Sequence, residues 1–393
     1  MRVLVLSFYY WPDLSAGSFR ATALARALRE RAPPATHIDV LTTLPNRYAS
    51  FTREAAPLEQ APGWELLRIA LPAHRSDMRG QVRAWLAYAR AVLAHVARRD
   101  YDLVFVTSGR LMSAALGSWI ARRKGARLYL DVRDIFVDTI KDVLPAPAAT
   151  LARPLFSAVE SWTMRRADRI NLVSPGFVDY FRARYPGRPL SGFTNGVDAE
   201  FLGGAVSGAV APEPDGRVRI VYAGNIGDGQ ALQLILPQLA AALRARARFI
   251  VIGDGGQRRS LEAAIAAANP GNVELRDPMP RAELLSAYRD AHVLFLHLGK
   301  LPAFEKVLPS KLFEYAALGK PVLAGVGGYA ARFVREEISN AAVFAPGDVV
   351  GAVRAFEALE LRDRARPEFV AKFARARLVG DMAEEILAVG RSG

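Results

Sequence analysis

The sequence predicts an α/β protein built from two Rossmann-like domains, each containing a doubly wound parallel sheet. Short runs of β-branched and apolar residues alternate with longer helical patterns, which is typical of parallel strands joined by crossover helices. A stretch rich in glycine, alanine and proline lies near the middle of the 393-residue chain, and the same alternation restarts after it. We therefore predict domains at 1–198 and 217–365, a linker at 199–216, and a helical tail at 366–393 that can cross back to the first domain.

The predicted strands are short, rich in Val, Ile, Leu and Phe, and bounded by turn residues. Those of the first domain lie at 3–8, 38–42, 66–70, 103–107, 128–132 and 170–173, with a helix at 18–31 after the first strand. Those of the second domain lie at 218–223, 249–253, 273–275, 293–297, 322–324 and 342–344. Ligands of such sheets bind at the carboxyl ends of the strands, so we expect the site in a central cleft that both domains face.

The composition favours a cytoplasmic protein with an anionic partner. The chain has no cysteine, and 51% of its residues are hydrophobic, without an apolar run as long as a membrane span. Residues 1–200 hold 28 Lys and Arg against 18 Asp and Glu, so they carry +10 of the net charge of +13. Such a field favours a phosphorylated acceptor or the anionic inner-membrane surface, where the protein would bind peripherally. No nucleic-acid partner is expected, because no helix-turn-helix, RNP or zinc pattern is present.

The segment 305–325 combines a loop, a helix start and a strand. Pro309 disfavours helix before it, Ser310 is a typical N-cap, and Gly319 is a typical C-cap. A helix starting there would direct amides and the Lys311 ammonium at an anion, while Glu314 could accept hydrogen bonds from two adjacent sugar hydroxyls. The segment therefore predicts a pocket for a nucleotide diphosphate. An amphipathic capped helix followed by a strand gives the same pattern.

Glycine-containing loops follow the first strands of the second domain. Such loops let a phosphate approach backbone amides, although a plain strand-to-helix turn is the alternative for each. We predict that they converge on one sheet edge with Lys311 and Glu314. Their candidate donor-binding residues are Gly224, Asn225, Gly227, Gly253, Asp254, Gly255, Met279 and Pro280.

Three features of the first domain also indicate ligand contacts. Ala16, Gly17 and Ser18 form a small-residue turn into a helix that carries Arg20 in its first turn, and the candidate acceptor-side residues there are Ser15, Ala16, Gly17 and Arg20. Asp131, Arg133 and Asp134 lie at the end of a predicted strand, where an Asp/Arg pair that only closes the strand is the alternative. The run 78–98 has apolar residues at helical spacing and several arginines, which fits either a membrane-interface helix or a helix covering the sheet.

Several motifs together resemble the GT-B glycosyltransferases of the large retaining family 4, in the branch that builds bacterial surface polysaccharides. They span nearly the whole chain: LSFYYWPDLSAGSFRATALARAL, LYLDVRDIF, VYAGNIG, VIGDG, MPRAELLSAYRDAHVLFLHL and PSKLFEYAALGKPVLA. The resemblance implies transfer of a hexosyl or N-acetylhexosaminyl group from a UDP- or GDP-linked sugar to a lipid-linked or polysaccharide acceptor. It implies no cofactor and no metal. A nucleotide-sugar epimerase or hydrolase, or a scaffold subunit without activity, would share the fold.

The resemblance also implies roles for individual residues. Glu314 matches the second motif glutamate, which would hold the ribose. The backbone at Met279 and Pro280 would read the base, and the loop and helix start at Leu308, Ser310 and Leu312 would face the donor sugar and phosphates.

Two departures from the family pattern concern the donor phosphates and sugar. The first motif glutamate should fall at Lys306, with Glu305 one residue earlier. The basic residues expected after the first glycine loop are replaced by Asp228, Gly229 and Gln230. Lys311 is therefore the leading candidate to neutralise the leaving diphosphate, with Lys300 and Lys306 behind it.

The aspartates at 131 and 134 would orient the acceptor hydroxyl or the reacting sugar. Because front-face attack lets the leaving phosphate oxygen take the acceptor proton, no catalytic nucleophile is assigned.

Overall fold

The computed structural model describes residues 1–46, 54–72, 78–135, 137, 146–202 and 213–391. The chain divides into two compact units. The first contains Met1–Asn195 and the chain from Arg375 onward, and the second contains Gly196–Ala374. From the sequence, the corresponding limits were placed at 198 and 366. Of the predicted linker, residues 203–212 lie outside the described residues.

The first unit contains a mixed eight-stranded sheet. The strand order is β3-β4-β2-β1-β5-β6-β7-β8, and all neighbours pair in parallel except β3 with β4. The strands are β1 (Arg2–Leu6), β2 (His37–Thr43), β3 (Leu58–Ala61), β4 (Trp64–Ile69), β5 (Leu103–Ser108), β6 (Arg127–Val132), β7 (Arg169–Leu172) and β8 (Leu190–Ser191). The prediction missed β3 and β8, because two to four residues with mostly exposed or half-buried side chains leave no apolar run.

The helices before the second unit are α1 (Ala16–Arg31), α2 (Met78–Val96), α3 (Leu111–Lys124), α4 (Ala146–Met164) and α5 (Val178–Arg184). The predicted helix at 18–31 is thus confirmed, with its start two residues earlier. Its N-cap is Ser15, whose side chain accepts a hydrogen bond from Ser18 N–H.

The second unit contains a parallel six-stranded sheet in the order β11-β10-β9-β12-β13-β14. Its strands are β9 (Val218–Ala223), β10 (Ala247–Ile252), β11 (Val273–Arg276), β12 (Val293–His297), β13 (Val322–Gly325) and β14 (Ala341–Phe344). Its helices are α6 (Leu232–Ala242), α7 (Arg258–Ala268), α8 (Arg281–Asp290), α9 (Lys311–Ala317), α10 (Gly328–Glu337), α11 (Val349–Glu357) and α12 (Pro367–Phe373). The predicted fold class, two Rossmann-like sheets with helices on their faces, is confirmed.

The predicted helical tail consists of two helices. After α12 the chain passes Ala374 and continues as α13 (Arg375–Arg391). Met382 and Ile386 of α13 are fully buried against Leu24 and Leu28 of α1, in the core of the first unit. The tail therefore supplies a missing layer of that core, which stabilises it by burial of apolar surface.

Candidate functional site

The glycine loops of the second unit approach one another too closely for any side chain. Gly224 follows β9 and Gly253 follows β10, both with positive φ. A Cβ on Gly253 would lie 1.9 Å from Gly224 O, and a Cβ on Gly224 would lie 2.0 Å from Lys311 Nζ. Gly255 is equally crowded by Ile226 O, at 2.4 Å. Glycine is therefore required for the two loops and the lysine to meet at this edge. We call Gly224, Gly253, Gly255 and Lys311 the glycine-loop cluster.

Several amides of these loops are occupied by bonds within the protein. Gly224 N–H donates to Ile252 O (2.8 Å) and Gly253 N–H donates to Arg276 O (3.1 Å). Asp254 accepts from Ile226 N–H through its carbonyl and from Gly255 N–H through its carboxylate. For Gly224 and Gly253 the expectation that the amide faces a phosphate is therefore wrong, because both amides extend the sheet ladder beyond the strands. The sequence could not distinguish this arrangement from open loops.

Gln230 and His297 hold the first glycine loop, and the sequence prediction missed both. Gln230 Oε1 accepts from Asn225 Nδ2–H (2.9 Å) and Gly227 N–H (3.3 Å). The carbonyl of Gln230 lies 2.7 Å from His297 Nδ1, and Gly347 N–H donates to His297 Nε2. Burial lowers the pKa of His297, which keeps the ring neutral with its proton on Nδ1. A histidine ending a buried strand was the only signal for this arrangement.

Lys311 is the cation of the cluster. Its side chain is partly exposed, and Nζ lies 5.9 Å from the centroid of the Tyr222 ring. Burial lowers the pKa of the ammonium, and the nearby Glu314 carboxylate opposes that shift. Within the described ranges, Nζ makes no hydrogen bond or ion pair. It is thus available to an anionic ligand at the carboxyl edge of β9.

The start of α9 lies where the sequence predicts it, with Ser310 at the N-cap position. Its side chain accepts no cap hydrogen bond, however, and its backbone angles are already helical (φ −61°, ψ −29°). Leu312 N–H instead donates to Pro309 O. The predicted end is confirmed, since Gly319 with φ +73° follows the last turn.

Two of the predicted donor-binding residues have side chains that belong to the core. Leu308 and Leu312 are buried and pack in the main apolar cluster of the second unit. Their side chains therefore cannot contact a donor, although their backbone positions the loop before α9.

Arg281, which the sequence prediction also missed, lies beside Glu314. It follows Met279 and Pro280 and pairs with Asp198 and Glu200. Burial lowers its pKa, but Asp198 and then Glu314 more than compensate, so the pKa is raised. Met279 packs at the edge of the core and Pro280 precedes α8. Arg281 thus links the loop predicted to read the base with the glutamate predicted to hold the ribose.

Glu305 and Lys306 end a short 3-10 helix, Pro302–Lys306. The Glu305 carboxylate lies beside the chain that follows β13, because a Cβ on Gly327 would be 2.7 Å from Glu305 Oε1. Together with Lys300 it lines a pocket of about 610 Å³. Lys306 is half-buried. Glu305 therefore lies beside the loop that follows β13, in a pocket at the carboxyl edge of the sheet.

Arg20 and Asp131 form a buried ion pair in the first unit. Both are at most 1% exposed, and Arg20 Nε and Nη2 each lie 3.0 Å from an Asp131 oxygen. Arg20 also donates to Thr194 O and Phe193 O, while Asn171 donates to Asp131. Burial raises the pKa of Asp131, but the Arg20 guanidinium holds it below its ordinary value. The predicted roles of both residues at the acceptor are therefore wrong: the pair closes β6 against α1.

The other predicted first-unit residues line one pocket of about 260 Å³, which we call the α1–α3 pocket. It lies at the ends of β1, β5 and β6 and at the starts of α1 and α3. Its lining includes Ser15, Ala16, Gly17, Arg133 and Asp134. Desolvation by the surrounding protein raises the pKa of Asp134 to about 6, against the opposing charge of Arg133.

The structure also brings together Asp39, Glu65 and His95, at the opposite edge of the first sheet. Their potential ligand atoms all lie within 4.8 Å of one another. Arg99 Nη1 lies 2.9 Å from Glu65 Oε1 and 3.3 Å from Asp39 Oδ2. The guanidinium thus occupies the position of a cation, and the cluster is an ion-pair network.

Comparison with known proteins agrees with this architecture. A glycosyl transferase 4-like domain matches residues 5–190, and a glycosyl transferases group 1 domain matches residues 217–360. The chain belongs to the family 4-like glycosyltransferases of GT-B fold. The 2-deoxystreptamine glucosyltransferase of Streptomyces kanamyceticus is 28% identical over 312 residues, which cover 74% of this chain and 77% of that protein.

Solved structures of other glycosyltransferases share this fold. WaaG, a glycosyltransferase involved in lipopolysaccharide biosynthesis, superposes with a TM-score of 0.62 at 14% identity, covering 100% of this chain and 95% of WaaG. Anabaena Alr3699/HepE, solved in complex with UDP-glucose, gives a TM-score of 0.62 at 13% identity, covering 100% and 98%. At these identities the likeness concerns the fold.

Proposed function

We propose that this glycosyltransferase is a retaining, metal-independent enzyme that transfers a hexosyl or N-acetylhexosaminyl group from a UDP- or GDP-sugar to a lipid-linked saccharide. The observation that carries the donor part is Lys311 Nζ, held against Gly224 at the carboxyl edge of β9 without an anionic partner in contact. A UDP-glucose complex of HepE, a protein of the same fold, supports a nucleotide-sugar donor.

In this proposal the bond from the anomeric carbon to the diphosphate oxygen breaks, and a bond to the acceptor hydroxyl forms on the same face. The acceptor proton passes to the departing phosphate oxygen. Lys311 stabilises the negative charge that develops on the diphosphate, which is the step where a preorganised cation contributes most. Glu314 holds the ribose, and Arg281, fixed by Asp198, orients that glutamate.

Thermal unfolding with UDP, GDP, ADP and TDP, each with magnesium and with chelator, tests the donor site. A ligand at a hundredfold its dissociation constant stabilises a protein by about 2.7 kcal/mol. We expect one nucleotide to raise the melting temperature equally with and without chelator, and Glu314→Ala to lose the shift. A shift that requires magnesium would refute metal independence, and no shift with any nucleotide would refute the donor assignment.

A basic and apolar surface of the first unit supports a membrane-bound acceptor. α3 contacts both α2 and α4, and none of these three helices presents an exposed acidic side chain among the described residues. The one acidic residue in them, Glu160, is buried against Tyr180 and Tyr185. We call this surface the α2–α4 face. Its exposed side chains include Val82, Leu86, Trp119, Leu155, Arg83, Arg90, Arg122, Arg123 and Arg153.

The two explanations of the run 78–98 are compatible. α2 covers the sheet with Ala84, Tyr88 and Val92, all fully buried, and its opposite side contributes Val82 and Leu86 to the α2–α4 face. In the described part of the chain, no helix combines the length with the apolar character that crossing a bilayer needs. A surface with apolar and arginine side chains instead fits binding at the interface of an anionic bilayer.

Flotation with vesicles tests the membrane part. We expect the protein to float with phosphatidylcholine vesicles that contain 30% phosphatidylserine, and Arg83→Glu/Arg90→Glu to reduce the floated fraction severalfold, because each basic side chain near such a surface contributes about 1 kcal/mol. Arg259→Glu/Arg289→Glu, which reverses two exposed charges in the second unit, is the matched control. Equal flotation of all three proteins would refute the α2–α4 face as the binding surface.

A further inference from the structure

The α1–α3 pocket contains buried polar groups without partners. Thr107 is 6% exposed and Ser113 is 3% exposed, and both line the pocket. Thr107 Oγ1, Ser113 Oγ and Arg133 Nη1 are inaccessible to solvent and make no hydrogen bond to the residues that the structure describes. Unpaired hydroxyls also occur elsewhere, but these three groups converge on one cavity. Because buried polar groups in folded proteins are nearly always satisfied, a ligand or ordered water is expected here.

The charges around the pocket favour an anion. Arg110 and Arg133 line it, against the single carboxylate of Asp134. Arg110 is held in place, since its guanidinium lies 4.2 Å from the centroid of the Phe8 ring and donates to Tyr9 Oη (3.1 Å). Two guanidinium groups and hydroxyl donors are the groups that bind phosphate oxygens in proteins.

The helices that start at the pocket add to this preference. α1 has 16 residues and α3 has 14, and neither has an acidic residue in its first turn. The start of α3 also lacks a side-chain cap, because its N-cap position is occupied by Arg110. The positive ends of two helix dipoles therefore reach the cavity without a capping carboxylate.

We propose that the α1–α3 pocket binds a phosphate group carried by the acceptor, so that the enzyme selects phosphorylated acceptors over neutral or cationic ones. The inference rests on the proposed function in taking the ligand to be the acceptor. Met112, which is exposed, precedes Ser113 on α3, so the pocket adjoins the α2–α4 face. The phosphate can thus belong to a soluble sugar phosphate or to the headgroup of a lipid-linked saccharide.

Calorimetric binding, which needs no transfer activity, tests the pocket. The probes are glucose 6-phosphate, glucose and 2-deoxystreptamine, with farnesyl diphosphate-linked N-acetylglucosamine in micelles as the lipid arm. We expect glucose 6-phosphate to bind at least tenfold more tightly than glucose, and 2-deoxystreptamine not to compete. Tighter binding of the lipid arm, with displacement by glucose 6-phosphate, would identify the phosphate as that of a lipid headgroup. Equal affinities for glucose and glucose 6-phosphate would overturn the proposal.

Variants locate the binding to the pocket. Thr107→Val, nearly isosteric, and Arg133→Gln should each weaken phosphate binding at least fivefold while leaving the nucleotide-induced thermal shift unchanged. Thr194→Val is the matched control, since Thr194 Oγ1 is another buried, unpartnered hydroxyl of the first unit but does not line the pocket. Loss of binding in Thr194→Val alone would overturn the assignment. If the wild type binds nucleotide but does not prefer phosphorylated ligands over neutral ones, this inference is refuted, while the proposed donor site is not affected.

Discussion

Arg20 and Lys311 are two cations that the sequence places in equivalent settings, each in the first turn of a helix that follows a predicted loop. In the structure they differ in their partners. Arg20 is buried and fully engaged with Asp131 and two carbonyls, whereas Lys311 has no hydrogen bond or ion pair within the described residues. The predicted position of a charged residue therefore does not by itself make the residue functional. A ligand can use the charge only where no other group of the protein already neutralises it.

The largest expected effect is the loss of stability when Arg20 is removed. Arg20→Ala leaves Asp131 buried without its counter-charge, and removing one partner of a buried pair costs about 3–5 kcal/mol. We expect the free energy of unfolding of the first unit, measured in urea, to fall by that amount. Turnover per folded molecule should stay unchanged. Arg31→Ala, which breaks a solvent-exposed pair with Glu384 in the same unit, should cost at most about 1 kcal/mol. A loss of turnover without a loss of stability would contradict this assignment and indicate that Arg20 acts in the functional site.

The role of Lys311 is tested by a variant that displaces its ammonium group without removing the lysine. A Cβ at Gly224 would lie 2.0 Å from Nζ, so Gly224→Ala must displace the ammonium. Because a misplacement of about 1 Å costs roughly 10²-fold in rate, we expect kcat to fall by that order. Gly271→Ala is the control, since Gly271 also has positive φ but an added Cβ there meets no atom within 4 Å. Equal losses in the two variants would attribute the effect to backbone strain.

The smallest expected effect concerns His297, which supports the first glycine loop. Burial lowers its pKa below the unfolded value of about 6.5, so the unfolded chain binds more protons near that pH. The contribution of the neutral ring is therefore complete above pH 6.5 and lost as the pH falls below it. Urea unfolding between pH 5 and 8 should show this decline in the wild type. His297→Asn, which keeps a donor toward Gln230, should show a flatter profile, and parallel profiles would exclude His297 as the source.

The fold was predictable because the spacing of apolar residues along the chain indicates where strands and helices lie. The strands at 218–223 and 293–297 agree with β9 and β12 at both ends, since both are short, mostly apolar runs with a glycine within two residues of their carboxyl ends. The antiparallel β3 was not predictable, because the sequence Leu-Glu-Gln-Ala has no strand pattern, and its pairing with β4 is supported by the polar side chains of Glu59 and Gln60 rather than by an apolar run.

The site was predictable only in part. Glycine spacing identified the loops at Gly224 and Gly253 but not the destination of their amides, which depends on the neighbouring strand. The Asp131-Arg133-Asp134 run illustrates the same limit. Its first aspartate lies in β6 and is paired with Arg20 in the core, whereas the other two residues follow the strand and line the α1–α3 pocket. Partners distant in sequence, such as Arg20 for Asp131, decide these outcomes.

The central claim is that Lys311 neutralises the departing diphosphate, and steady-state turnover of Lys311→Ala tests it most directly. Using the nucleotide sugar selected by the thermal-shift series, we expect kcat to fall by about 10²–10³-fold. Donor affinity should change far less, and Lys372→Ala, which removes an exposed lysine paired with Glu337 in the same unit, should retain full turnover. Unchanged kcat in Lys311→Ala, or an equal loss in Lys372→Ala, would contradict the assignment.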